Sequence, residues 1–213
     1  MNHRLKASRV VLNDGSKVVI RQVHREDAPL LAEGFARFSA ESRRLRFLTD
    51  KPRLTEAELR YFTEIDHHDH EALGAVDEVD GRALGIARYI RDRKDPELAE
   101  IAVAVVDDWQ GRGLGTELLT RLLDRAREEG VRRFTALVAV DNEVMVNLLH
   151  DLGGELHATP NASGAVEYEL TPAPGGPGRE VVDLLRAFGH RQLKAPASIR
   201  EALAALVPER FHT

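Results

Sequence analysis

The sequence predicts an α/β fold: one mixed, mostly antiparallel central sheet of about six to seven strands, flanked by helices and followed by a helical C-terminal tail. Three observations carry this expectation. Apolar, β-branched runs follow one another at Glu71–Val76, Ala83–Ile90 and Leu98–Val106, with the hairpin signal Asp80-Gly81 between the first two. Gly113–Glu129 repeats apolar residues at helical spacing and stops at Gly130. Arg133–Val140 is almost purely apolar, as expected of a strand buried on both faces.

The remaining elements follow in chain order. Lys17–Val23 is β-branched and preceded by the turn signal Asn13-Asp14-Gly15, so it reads as a strand. Glu26 and Asp27 open a helical stretch, with Pro29 in its first turn and Leu30, Leu31, Phe35 and Phe38 at helical spacing. Phe38–Leu48 is a short helix started by Ser39, with Ser42 a competing start. Leu54–Ile65 is a third helix, with Thr55 and Glu58 in capping-box spacing. After the long central helix and the apolar strand, Asn142–Leu152 is a helix ended by Gly153-Gly154, and Ala165–Leu170 a last strand.

The main domain therefore spans 1–171. Pro172–Gly178, PAPGGPG, reads as a linker, and 179–213 as a helical tail with two apolar faces. Those faces could pack back on the domain, exchange between protomers to give a homodimer, or cover a substrate groove. A net charge of −5 gives no electrostatic reason to expect nucleic acid. With no cysteine, disulfides, thiolate metal sites and a cysteine nucleophile are excluded. No window approaches the roughly 18 apolar residues of a membrane helix, and the N-terminus lacks a signal-peptide core. A cytoplasmic protein is the default expectation.

Chemistry concentrates at Val105–Leu119, VVDDWQGRGLGTELL. A glycine-rich turn between strand and helix puts free backbone N–H groups at the positive end of a helix, where phosphate is the usual guest. Arg112 adds a cation and Thr116 a hydroxyl. A Walker loop is absent, since no Gly-Lys-Ser/Thr follows. A dinucleotide fingerprint fits poorly: Thr116 stands where its third glycine belongs, although Asp141 could imitate the ribose-binding acid.

Gln110-Gly111-Arg112-Gly113-Leu114-Gly115 is similar to the Q/R-x-x-G-x-G/A signature of the GNAT superfamily of acyl-CoA N-acyltransferases. The segment Asp141–Gly154, DNEVMVNLLHDLGG, resembles the family's N-x-x-(M/A)-x-x-L-x-x-x-G-F segment. Within the superfamily, FSAESRRLRFL, LTEAELRYFTEID, ALGIARY and AEIAVAVVDDWQGRGLG look like the transferase domain of bacterial protein lysine acetyltransferases of the Pat type, without their usual additional domain.

The resemblance implies acetyl transfer from acetyl-CoA, used as acyl donor with no metal, to an amine, with a protein lysine favoured as acceptor. It implies that Gln110, Gly111, Arg112, Gly113, Gly115 and Thr116 hold the pyrophosphate. Val103 and Val105 would bond the pantetheine through their main chain, and Asn142 would touch the cofactor as well as capping its helix. It implies Glu100 as general base; the residue alone also reads as a solvated strand-start glutamate. Burial among apolar neighbours would raise its pKa. The helix carrying Ser42 and Arg46 would line the acceptor groove. Where the superfamily often places a tyrosine as general acid, this chain has Leu149 and His150, and Gly153-Gly154 replaces the family's G-F.

The stretch Asp66–His70, DHHDH, has a spacing unlike that of closed zinc sites, so no metal is expected. Placed before a strand, it is expected to border the acceptor site, with Asp66 receiving a lysine ammonium. Two competing functions remain: a small-molecule amine acetyltransferase, and a non-catalytic acyl-CoA-binding sensor.

Overall fold

The computed structural model describes residues 6–49, 51–153, 155–160 and 165–172. The predicted tail, and all of the predicted linker after Pro172, lie outside them. Eight strands form one sheet: β1 Ser8–Val11, β2 Lys17–Gln22, β3 His70–Asp77, β4 Ala83–Arg91, β5 Leu98–Val105, β6 Arg133–Ala139, β7 Glu155–Pro160 and β8 Ala165–Thr171. Their order is β1-β2-β3-β4-β5-β6-β8-β7. Every pairing is antiparallel except β5 with β6.

The sheet is thus slightly larger than expected, and the added strands are its two edges. β1 is four residues long, and β7, ELHATP, is exposed almost throughout. An edge strand is held by its ladder to one neighbour and need not bury an apolar face, so neither carries a period-2 pattern.

Among the described residues five α-helices flank the sheet: α1 Ala28–Ala36, α2 Ala40–Phe47, α3 Glu56–Thr63, α4 Leu114–Glu128 and α5 Glu143–Asp151. The predicted caps form. Ser39 Oγ accepts from the N–H of Ser42, which settles the competing starts, and Thr55 and Glu58 close a reciprocal capping box. α4 lies against β3, β4 and β5. It buries Leu114, Leu118, Leu119, Leu122, Leu123 and Ala126 against Leu73, Tyr89 and Ile101, at the three- and four-residue spacing that predicted it. α1 packs on β4, and α2 reaches β5 and β6, from the other side.

The expectation for β6 needs correction. Leu137 is 41% exposed, and Val140 just beyond the strand 68%. The run is apolar because one side enters the core and the other faces an opening in the sheet. No helix among the described residues is long and apolar enough to cross a membrane.

Candidate active site

The opening lies where β5 and β6 part. They pair over only three positions, Leu98, Ala99 and Glu100 against Arg133, Phe134 and Thr135. β5 then continues along β4 to Val105, while β6 follows β8. The Val106 N–H donates to the Leu84 carbonyl at 2.9 Å. Antiparallel pairing alternates bonded and non-bonded positions, so Ala104 and Ala102 turn their peptide groups to β4, and Ile101, Val103 and Val105 turn theirs into the gap. The gap widens into a cavity of about 480 Å³ between the β5 edge, Ala136–Val138 of β6, and the start of α4.

The glycine turn forms one end of this cavity. Gly111 and Gly113 take left-handed φ values of 71° and 86°, and Gly113 is the N-cap of α4. No side chain caps that helix, so its first-turn N–H groups are available to an anion at the positive end of the dipole. The Gln110 side chain latches the turn to the strand, donating to the Val105 carbonyl at 3.0 Å and to Asp107 Oδ1 at 3.2 Å.

The glycines differ in what they tolerate. A Cβ on Gly113 would come within 2.8 Å of Asn13 Nδ2, in a backbone conformation that L side chains rarely adopt. A Cβ on Gly115 meets only Leu148 Cδ2 at 3.4 Å and Val105 Cγ2 at 3.8 Å. Gly113→Ala is therefore expected to lower stability by at least about 1–2 kcal/mol, whereas Gly115→Ala stays within about 0.5 kcal/mol of wild type. Urea midpoints of the two variants check this contrast.

The residues singled out by sequence are placed as follows. Val103, Val105, Gln110, Gly111, Gly113, Gly115, Thr116, Asn142, Ser42 and Arg46 all line the cavity. Asn142 also caps α5, its Oδ1 accepting from the Met145 N–H at 3.1 Å. Ser42 Oγ bonds Asp107.

Arg112 is not brought to the cavity. Its guanidinium reaches Asp14 at 3.0 Å and the Asp108 carbonyl at 2.6 Å, and packs on Trp109 with 4.7 Å to the ring centroid. The β1–β2 turn thereby grips the glycine turn, and the Asn13 N–H donates to the Arg112 carbonyl at 3.2 Å.

Glu100 is the last β5 residue paired with β6 and lies outside the cavity lining. It is exposed rather than buried among apolar neighbours as expected. It shares a face with Ala102 and Ala104, on the side from which α2 approaches. Its charge opposes the burial that lowers the pKa of the half-buried Arg46 guanidinium.

The region Asp66–His70 has a different task from the one expected. Asp66 Oδ1 accepts from the N–H groups of His68, Asp69 and His70, each at 2.9 Å. Burial pushes the Asp66 carboxyl up, but these three donors outweigh it and leave it below its ordinary value. Asp66 is a turn-holding residue away from the cavity.

The histidines diverge. His67 Nδ1 is 2.8 Å from Glu71, His68 bonds Glu129, and His70 Nε2 is 3.2 Å from Arg88. Among the described residues no group of three His, Asp or Glu is placed to hold a metal ion. On α5, Leu149 is in the core and His150 is exposed, so neither reaches the cavity. Asp141 is paired with Arg44 at 2.6 Å, which engages the carboxylate that a dinucleotide would need.

Sequence reasoning misses Arg88. In ALGIARYIR it reads as the polar half of an alternating strand, yet it is only 5% exposed.

The model of the Acetyltransferase (GNAT) family matches residues 38–153. The chain is 30% identical over 188 residues to Acetyltransferase Pat of Mycolicibacterium smegmatis, covering 87% of this chain and 56% of that protein. It is 32% identical over 161 residues to an acetyltransferase of Pseudomonas aeruginosa, covering 75% of this chain and 86% of that protein. The crystal structure of the GNAT domain of S. lividans PAT superposes with a TM-score of 0.71 at 31% identity, over 78% of this chain and 96% of that domain.

Proposed function

Because this chain belongs to the Acetyltransferase (GNAT) family and is thereby an acetyl-CoA-dependent acetyltransferase, we propose that its acceptor is a primary amine on a protein lysine and that Glu100 is the general base. The observation that carries the site assignment is the parted β5–β6 edge ending at an uncapped helix N-terminus. A row of peptide groups without a strand partner, its Val105 carbonyl held by Gln110 Nε2, leads there to a cluster of free N–H donors.

Those two features suit the two halves of the donor. The turn from Gly111 to Thr116 would hold the pyrophosphate, and the peptide groups of Val103 and Val105 would pair with the pantetheine amides as a neighbouring strand does. Acetyl-CoA supplies a thioester carbonyl as the electrophile. A lysine ammonium, with a pKa of about 10.4, must lose a proton before its nitrogen can attack. Because Glu100 stands outside the cavity lining, it would take that proton through water. The new N–C bond replaces the C–S bond, and sulfur leaves with the bonding pair. A thiol pKa of about 8.5 lets it depart as thiolate and recover a proton from water, so the reaction does not require an acid on α5.

Preference for a protein lysine over a small amine rests on the similarity to Pat-type proteins. Free-thiol release from acetyl-CoA, measured against lysine peptides, polyamines and amino acids, tests it. Turnover confined to small amines would replace the protein acceptor. Tight acetyl-CoA binding with no turnover on any acceptor would replace the enzyme reading with a sensor.

A further inference from the structure

Two arginines of the α2 face of the sheet, Arg46 and Arg88, repel one another, and Glu100 is the carboxylate whose charge reaches Arg46. Arg88 on β4 stands directly opposite Ala102, and Glu100 lies two residues further along the same face. Arg88 is 5% exposed. Its recorded contacts are an acceptor nitrogen, His70 Nε2 at 3.2 Å, and the face of Phe62, 4.1 Å from the guanidinium carbon. Since arginine only donates, His70 must accept there, and it is kept neutral: burial, then the charge of Arg88, pulls its pKa down to about 4.

Arg46 on α2 approaches from above. It lines the cavity beside Ala102, and its guanidinium carbon lies 4.9 Å from the Phe47 ring. Among the described residues, the ion pairs of α1–α3 use Arg37, Arg44 and Lys51 but neither Arg46 nor Arg88. The two guanidinium groups repel: burial first, and Arg46 second, pull the Arg88 pKa down to about 9.

A buried cation beside a second cation is unfavourable for folding alone. An anion arriving with the substrate would relieve it, and the planar guanidinium fork suits a carboxylate. Ala102 and Ala104 on this face line the cavity together with Arg46, and Arg88, opposite Ala102, stands outside that lining.

We propose that Arg46 and Arg88 form a carboxylate seat beside Glu100, so that the enzyme selects amines bearing a negative group near the nitrogen to be acetylated. This rests on the acetyltransferase reading. The carboxylate could be the α-carboxylate of a free amino acid or an acidic side chain flanking a peptide lysine; the chemistry of the seat is the same.

The test compares matched acceptors by thiol release. One arm uses L-lysine against its carboxamide, and the other uses capped peptides whose lysine is flanked by Glu or by Gln. Wild type is expected to favour the carboxylate-bearing member of at least one pair by about 10–100-fold in kcat/KM, the range of a charge-assisted hydrogen bond. The arm showing the preference identifies the source.

Arg88→Met is expected to keep or raise the melting temperature, because an unpaired buried charge is removed, while the preference collapses toward unity. Arg46→Gln, on the more exposed partner, is expected to weaken the preference in the same direction. Equal turnover of both members in both arms overturns the seat and leaves the transferase standing. So does an Arg88→Met protein that unfolds while Arg46→Gln keeps the full preference, because Arg88 is then structural. No turnover on any acceptor, with acetyl-CoA still bound, overturns the transferase reading and the seat together.

Discussion

Glu100→Gln is expected to lower kcat for acetyl transfer by at least about tenfold, and by up to about 10⁴-fold, the span that a positioned general base contributes. The substitution keeps the side chain's size and its place at the end of the β5–β6 pairing, and removes only the capacity to take a proton. Stability is expected to stay within about 0.5 kcal/mol of wild type, since Glu100 is exposed and, among the described residues, no close ion pair or hydrogen bond holds it. The affinity for acetyl-CoA is expected to be unchanged, because the turn from Gly111 to Thr116 and the Val103 and Val105 peptide groups lie elsewhere on the cavity wall. Steady-state thiol release with saturating donor, beside a binding isotherm for acetyl-CoA, separates these quantities. A Gln variant with wild-type kcat would move the base to another group.

Glu71→Ala is expected to destabilise the protein by about 3–5 kcal/mol, as when one partner of a buried charge pair is removed. Glu71 is completely buried and serves four groups. It accepts from Gln22 Nε2 at 2.8 Å and from the Ala72 N–H at 2.9 Å, and lies 2.8 Å from His67 Nδ1 and 3.5 Å from Arg125 Nε. His67 itself has a left-handed φ of 61°, unusual for a residue with a Cβ. The contact with Glu71 is part of what keeps it there. Arg125 is only 5% exposed and would keep Glu128 and Glu129, so its charge would be partly compensated. Glu71→Gln keeps the shape and is expected to lose a smaller amount, about 1–3 kcal/mol. Urea unfolding measures both. A loss under about 1 kcal/mol for the alanine variant would mean that water replaces the carboxylate and that the network does not hold the region Asp66–His70.

Legibility in the sequence followed the range of the interaction. Ser39 and Thr55 cap helices through partners three residues away, and α4 shows its buried face in its own spacing. Gly111 and Gly113 declare a left-handed turn because few other residues adopt one without strain. The edge strands β1 and β7 were not legible, since a ladder with one neighbour leaves no mark on either face. The site was legible where one segment builds it, from Val103 to Thr116, and not where segments meet. Arg112 follows the motif yet turns to Asp14, ninety-eight positions away. The histidines near β3 looked like a cluster, yet their partners, Glu71, Glu129 and Arg88, draw them apart.

The sequence by itself determined the order of the helices and inner strands, the glycine turn that joins β5 to α4, and the helix caps, because those depend on dihedral preferences and contacts within a few residues. Only the tertiary structure decided where β5 and β6 part, that Glu100 stands at the rim, and that Arg88 comes beside Arg46. Those depend on strand register and on helices packed across the sheet. Shifting β5 by a single residue would turn Glu100 to the opposite face, and shifting β4 would do the same to Arg88.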